Sequence, residues 1–328
     1  MSRTKLAICI PTYNRCDELV RQLQFFIDEC VNNLENIELY VADNKSQDET
    51  ANYLVEITKK HPFVKILLND ENLGLVGNLY NLLHNSGNSD YVWFVSDDDF
   101  LKPGIVSRIL TILERHKNLG SIFLNSEMWS VNFEQELIQN AEYILPYSKC
   151  GLSEDNLANL HAIFSAHNTL LMWISAWILK RGSVLEVFDK NISGLNLTEP
   201  FLFAANSINH GDLYVTHDIE LKNGTKLGST WVINEKKVFD VHYSGLFRSI
   251  LKLETFNFPR WLISDMIYQR FSFMARHSMK YFYWGARYDR KLTFILLPFL
   301  SLSKLFYIVR IVFNRILFKV RSSLNTGE

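Results

Sequence analysis

Five short runs of nearly continuous apolar residues punctuate the first 125 positions: KLAICI (5–10), IELYVA (37–42), VKILL (64–68), YVWFV (91–95) and SIFLN (121–125). Strands with one wet face alternate apolar and polar residues, so runs without alternation fit strands buried on both faces. Between them apolar positions return every three or four residues. Residues 17–31 place Leu19, Val20, Leu23, Phe26 and Ile27 on one stripe, and 48–60, 76–83 and 105–116 complete the series, with Ser46 and Asp48 as capping candidates before the second helix. This repetition predicts an α/β fold, a Rossmann-like, mostly parallel sheet with helices on both faces.

In open sheets of this kind ligands bind beyond the carboxyl ends of the strands. The loops there are polar in turn: PTYNR after the first strand, DNKSQDET after the second, NDENLG after the third and SDDD after the fourth. Turns are polar by default, so the weight lies in four strand ends agreeing. Asp97, Asp98 and Asp99 crowd three like charges behind a buried run. Clustered carboxylates repel until a cation sits between them, and Mg²⁺ or Mn²⁺ takes one or two carboxylates together with phosphate oxygens and water. Taken alone, the triplet also reads as a solvated acidic turn. Asp43 can accept the N3–H of a uracil or thymine ring, or cap its own turn. Gly74 permits a positive φ and close backbone approach to a ligand.

Composition adds an asymmetry. The chain has 328 residues, 48% hydrophobic and 21% charged, an ordinary globular balance with a formal net charge of −1. Residues 276–328 hold ten basic and two acidic side chains, a balance of +8, which leaves −9 for residues 1–275. That basic stretch is also rich in Phe, Tyr, Trp and Leu, a pattern that fits helices lying in a bilayer interface or packing on a domain or second subunit. Its high aliphatic content and the lack of a binding motif argue against nucleic acid. The four cysteines show no CxxC pair and no paired histidine spacing, which points to a reducing compartment without disulfides or structural zinc. The N-terminal apolar run is too short for a signal peptide, and the four Asn-x-Ser/Thr sequons read as chance. The longest apolar candidate, Leu292 to Ser303, is too short to span a membrane and carries Pro298.

Taken together and in order, AICIPTYNR, VADNKSQDET, NLGLVGNLYNLL and WFVSDDDFLKPG resemble the nucleotide-sugar-binding half of the inverting GT-A glycosyltransferases, which include bacterial O-antigen and capsule sugar transferases. The resemblance covers residues 4–125. Its nearest branch is the abequosyltransferase type, on general texture and on SAWILKR in the second half. It implies that Asp99 holds a divalent metal, Mn²⁺ or Mg²⁺, with Asp97 also a ligand candidate, and that Asp97 or Asp98 binds the ribose. It further implies that Asp43 reads the base, and that Pro11, Thr12, Tyr13 and Arg15 line the nucleotide pocket with Asn72, Gly74 and Asn78. A general base is expected at a helix start, and Glu199 in NLTEPF is the candidate, with Asp155 and Asp212 as weaker alternatives. His242, or less well His217, is a candidate third metal ligand. Trp173, Trp177 and Trp231 could stack on sugars or serve the core.

The expected protein is thus a metal-dependent inverting glycosyltransferase, moving a sugar from a UDP- or dTDP-sugar to a surface polysaccharide, with a polyprenyl-diphosphate-linked acceptor. It would work in the cytoplasm, attached at the inner membrane face through its C-terminus. Expected divisions are a donor half (1–125), an acceptor half (126–245) and a helical region (246–328). A non-catalytic nucleotide-sugar-binding scaffold and a nucleotidyltransferase are the alternatives. The latter calls for a Gly-rich phosphate loop that PTYNRCDEL does not supply.

Overall fold

The computed structural model describes residues 5–131, 137–143, 150–153, 155–166, 170–191, 197–226, 240–277, 289–301, 304–305 and 307–312. The chain divides into two compact units, Met1–Ser229 and Thr230–Glu328.

The first unit begins as the apolar runs predict. Strand β1 (Leu6–Thr12) leads through helix α1 (Cys16–Cys30) to β2 (Ile37–Asp43), then α2 (Thr50–Lys60), β3 (Val64–Leu68), α3 (Gly74–Asn85) and β4 (Tyr91–Phe94). These strands pair in parallel in the order β3-β2-β1-β4. Right-handed crossovers dictate the layers: α1 and α2 step one way along the sheet and share a face, whereas α3 steps back past two strands and lands on the other. The order reverses between β1 and β4, the place where a sheet of this kind opens a ligand crevice.

A short β5 (Phe100–Leu101), α4 (Ile105–Arg115) and a long β6 (Leu119–Val131) follow, then β7 (Leu137–Tyr143), β8 (Gly151–Ser153), α5 (Asn156–Ala166), β9 (Trp177–Lys180), α6 (Arg181–Asn191), α7 (Glu199–Asn209) and β10 (Asp212–Lys226). One ten-stranded sheet results, β3-β2-β1-β4-β9-β6-β10-β5, with β7 on β6 and β8 on β10. Here the structure departs from simple continuation. Strand β9 inserts antiparallel between β4 and β6, and β10 runs parallel to β6. Six strands share one direction, so the sheet is mixed with a parallel majority. The expected halves 1–125 and 126–245 share this sheet, with β6 crossing their boundary.

The core lies on both faces. On one, Leu19, Leu23, Phe26 and Ile27 of α1 join Leu54 of α2 and Ile105, Ile109 and Leu113 of α4 over Ile8, Ile10, Val41 and Trp93. The Phe26 ring meets Trp93 edge-on at 5.6 Å. On the other, Phe203 of α7 packs against Phe94 and against Phe188 of α6, which in turn meets Tyr80 of α3. Each such side chain contributes roughly 1.5–3 kcal/mol when fully buried.

The second unit contains α8 (Leu246–Lys252), α9 (Arg260–His277) and α10 (Arg290–Leu296). The rings of Tyr243, Phe247 and Phe271 stack in series inside it. Asp289 caps α10 through the Leu292 N–H and binds Arg248 at 2.7 Å. No helix among the described residues is long and apolar enough to cross a membrane.

Candidate functional site

The residues expected to act cluster at the carboxyl ends of β1, β2 and β4. Pro11 is buried in β1 beyond the last residue paired with β4, Cys9, so its missing N–H interrupts no ladder there. Next to it, Thr12 donates its hydroxyl to Asp97 Oδ2 at 2.8 Å. Arg15 Nη1 lies 2.8 Å from both Asp97 Oδ1 and Asp98 Oδ2. Ser96 Oγ donates to Asp98 Oδ1 at 2.5 Å. The Arg15 guanidinium, expected among the nucleotide contacts, therefore spans two aspartates and offsets part of their repulsion. Tyr13 stays exposed on the loop between them.

A second arginine, not foreseen, completes this arrangement. Arg21 on α1 stacks its guanidinium on the Phe100 ring, 3.7 Å from the centroid, and donates from Nη2 to the backbone carbonyls of Asp97 and Asp99. Two guanidinium groups beside three carboxylates leave a local balance of −1. Burial pushes the Asp97 carboxyl up to about 6 despite the pull of Arg15 and the Thr12 hydroxyl, with Asp98 adding to the rise. Even so it remains mostly ionised at neutral pH.

The turn of the aspartate loop is also fixed from a distant segment. Ser175, buried in the turn that leads into β9, accepts the Ser96 N–H on its hydroxyl at 2.8 Å and the Trp93 indole N–H on its carbonyl at 2.9 Å. SAWILKR thus supplies both the inserted strand and a prop for the loop.

Beyond β2, Asp43 is buried and accepts the backbone N–H and the hydroxyl of Ser46. Its carboxylate has lone pairs enough for one further donor. Asn14, in the left-handed region at φ 53°, receives Gln47 N–H and donates its own N–H to Ser46 Oγ, tying the first loop to the second. Asn44 Nδ2 donates to Asn72 Oδ1 at 2.8 Å, and Asn72 Oδ1 also accepts the Gly74 N–H. Gly74 has φ +69°, as its role in a tight turn requires. Asn78 is buried on α3, where it donates to the Ala42 carbonyl and accepts from Asn69.

The acidic candidates in the second half separate by position. Asp212 starts β10 opposite Leu119, at the far end of the sheet. Asp155 caps α5 through Ala158 N–H. Glu199 opens α7 and is 0% exposed. The other end of α7 is pinned at the start of β6, with Ser207 Oγ donating to the Gly120 carbonyl. Phe203 packs on Phe94 at the end of β4, and Glu199 lies one helical turn from it toward the start of α7, the end away from Ser207. Trp177 is core, packed on Phe123 at 4.7 Å. His217 is exposed on β10. His242 lies in the turn Asp240–Gly245 of the second unit, with its side chain outside the described residues, as is the whole of Trp231.

A divalent ion is compatible with these residues in one way. Among the described residues no group of three or more His, Cys, Asp or Glu converges on a point. The side-chain oxygens of Asp97 and Asp98 are engaged by Thr12, Arg15 and Ser96, whereas Asp99, 1% exposed, is held by Arg21 at its carbonyl. Hard oxygen donors in this number suit Mg²⁺ or Mn²⁺ only where a ligand's phosphates and water complete the shell.

Comparison with known proteins agrees with this geometry. Residues 7–171, just over half of the chain, match the family described as Glycosyl transferase family 2. Over 188 residues, 57% of this chain and 24% of the relative, the sequence is 25% identical to a chondroitin synthase of Escherichia coli. Over 112 residues, 32% of this chain and 33% of the relative, it is 28% identical to a GalNAc(5)-diNAcBac-PP-undecaprenol beta-1,3-glucosyltransferase of Campylobacter jejuni. The chain spans about a third or less of these curated relatives. Among solved structures, S. aureus TarS 1-349 in complex with UDP-GlcNAc superposes with a TM-score of 0.58 at 15% identity, covering 84% of this chain and 76% of that one, and so shares the fold.

Proposed function

The chain belongs to glycosyl transferase family 2, and from that premise we propose that it transfers a sugar from a UDP- or dTDP-linked donor to a hydroxyl of a growing polysaccharide, inverting the anomeric centre. The observation that carries this reading is the junction at the sheet's reversal point, where Thr12 and Arg15 beyond β1 bind Asp97 and Asp98 beyond β4. In it Asp43 accepts the N3–H of the base, and Asp97 or Asp98 holds the ribose, with Pro11, Tyr13, Asn72, Gly74 and Asn78 shaping the pocket. Asp99, with Asp97, would hold Mg²⁺ or Mn²⁺. When bound, such an ion offsets the charge of the leaving diphosphate. Arg15 and Arg21 keep the three aspartates in place before any ligand arrives. Glu199 takes the proton of the acceptor hydroxyl as that oxygen attacks the anomeric carbon from the side opposite the diphosphate.

The Campylobacter relative is named for an undecaprenol-diphosphate-linked glycan. This supports a lipid-linked acceptor, and with it work at the cytoplasmic face of a membrane, in O-antigen or capsule synthesis. Within the family we keep the abequosyltransferase-type branch as the nearest likeness.

The test is a transfer assay over a panel of nucleotide-sugars with Asp99→Asn and Glu199→Gln. Glu199→Gln is expected to lower kcat about 100-fold or more while leaving donor affinity within about twofold. Wild-type turnover in Glu199→Gln would move the base elsewhere. Tight donor binding with no transfer by the wild type would make the protein a non-catalytic binder.

A further inference from the structure

One face of the second unit has the wrong chemistry for water. Helix α10 turns apolar side chains outward as well as inward: Leu292 and Leu296 are buried beneath it, while Phe294 is 71% exposed, Ile295 and the following Leu297 are exposed beside it, and Lys291 is exposed near its start. Large apolar side chains grouped on the outer side of a helix ordinarily mark a surface that something covers. The patch extends to α9, because Arg260 at its start stacks on the Phe299 ring at 5.0 Å, and the next residue, Trp261, is 57% exposed. Further along α9, Asp265 binds Lys304 at 2.9 Å and the Tyr268 and Tyr307 rings lie 6.4 Å apart. These contacts set Lys304 and Tyr307 beside α9 and add the exposed Tyr307 and Val309 to the patch.

Charge decides what can cover it. From Arg260 to Val312 the sequence carries nine Lys or Arg and two acids, Asp265 and Asp289. Both acids are already paired, with Lys304 and Arg248. A second copy laid on this face would set the exposed Arg260, Lys291 and Arg310 against like charges. An anionic lipid surface meets both needs, offering negative headgroups for Arg260, Lys291 and Arg310 and an apolar layer for the tryptophan and phenylalanine. We propose that Trp261, Phe294, Ile295 and Leu297 form a face that inserts into the interface of an anionic phospholipid bilayer. The proposal deepens the lipid-carrier reading above by naming the surface, and it is tested without sugar transfer.

Flotation of the full chain with vesicles of phosphatidylcholine alone, and of phosphatidylcholine with about a third phosphatidylglycerol, reads it directly. The expected result is partitioning onto anionic vesicles at least about tenfold above neutral ones, weakened by salt. The double variant Trp261→Ala, Phe294→Glu should lose about tenfold of that binding, and Phe294→Trp should retain it. Because these side chains are exposed, the thermal midpoint should stay within a few degrees. Equal partitioning of wild type and double variant would overturn the proposal, as would a dimer that the variant dissolves. A nucleotide-sugar thermal shift on the same samples separates the readings: its survival while lipid binding fails sinks only the membrane face.

Discussion

Ser175 and Ser96 lie 79 residues apart in the chain, yet the hydroxyl of one accepts the backbone N–H of the other. The contact is partly buried, so removing the acceptor leaves an N–H short of its partner, at a cost of about 1 kcal/mol. That cost falls on the loop that carries Asp97–Asp99. Ser175→Ala is therefore expected to weaken donor binding about tenfold while lowering the thermal midpoint by no more than a few degrees. Donor titration and thermal unfolding of the variant check this, and an unchanged donor affinity would remove Ser175 from the positioning set. At this scale the three aspartates were legible because charge directly behind a buried strand is costly and so conspicuous. Their counter-ions were not. Arg15 reads as a pocket residue and Arg21 as a polar position on a helix, since nothing local announces a partner 76 to 83 residues away.

Helix α3 shows how an element can act on the site by bracing its turns. Asn78 donates to the Ala42 carbonyl and accepts from Asn69, which is itself bonded to Asn44 and Asn81, so one helix face braces the turns after β2 and β3. Asn78→Ala should cost about 1–3 kcal/mol of stability by urea unfolding, because the Ala42 carbonyl loses a buried donor. Its kinetic signature should be a KM for donor raised about tenfold with kcat nearly unchanged, as befits ground-state and transition-state binding lost together. A parallel fall in kcat would place Asn78 in the chemistry instead. The four alternating strands and their helices were readable from periodicity, and they appear at β3-β2-β1-β4 within a residue or two of expectation. Strand β9 was not. Four apolar residues cannot be told from a buried helical turn by pattern alone, and insertion between β4 and β6 is a long-range pairing that no local signal encodes. Strand β10 escaped for the same reason, its partners lying about ninety residues earlier in β6.

Across the whole molecule, formal charge is segregated, −9 in residues 1–275 and +8 in 276–328. The acidic excess belongs with a sheet whose rim gathers carboxylates, and the basic excess with helices that expose aromatic and aliphatic side chains. On the function and the membrane face proposed above, chemistry and attachment fall on different stretches of one chain. Everything at the rim depends on the aspartate cluster being a seat for a sugar's diphosphate carrier. Isothermal titration calorimetry with UDP- and dTDP-sugars, in millimolar Mn²⁺ and again in chelator, measures that directly. The expected result is saturable heat with one donor, weakened about 100-fold by chelator or by Asp99→Asn. Absence of heat with every donor, or binding indifferent to both metal and Asp99, would contradict it.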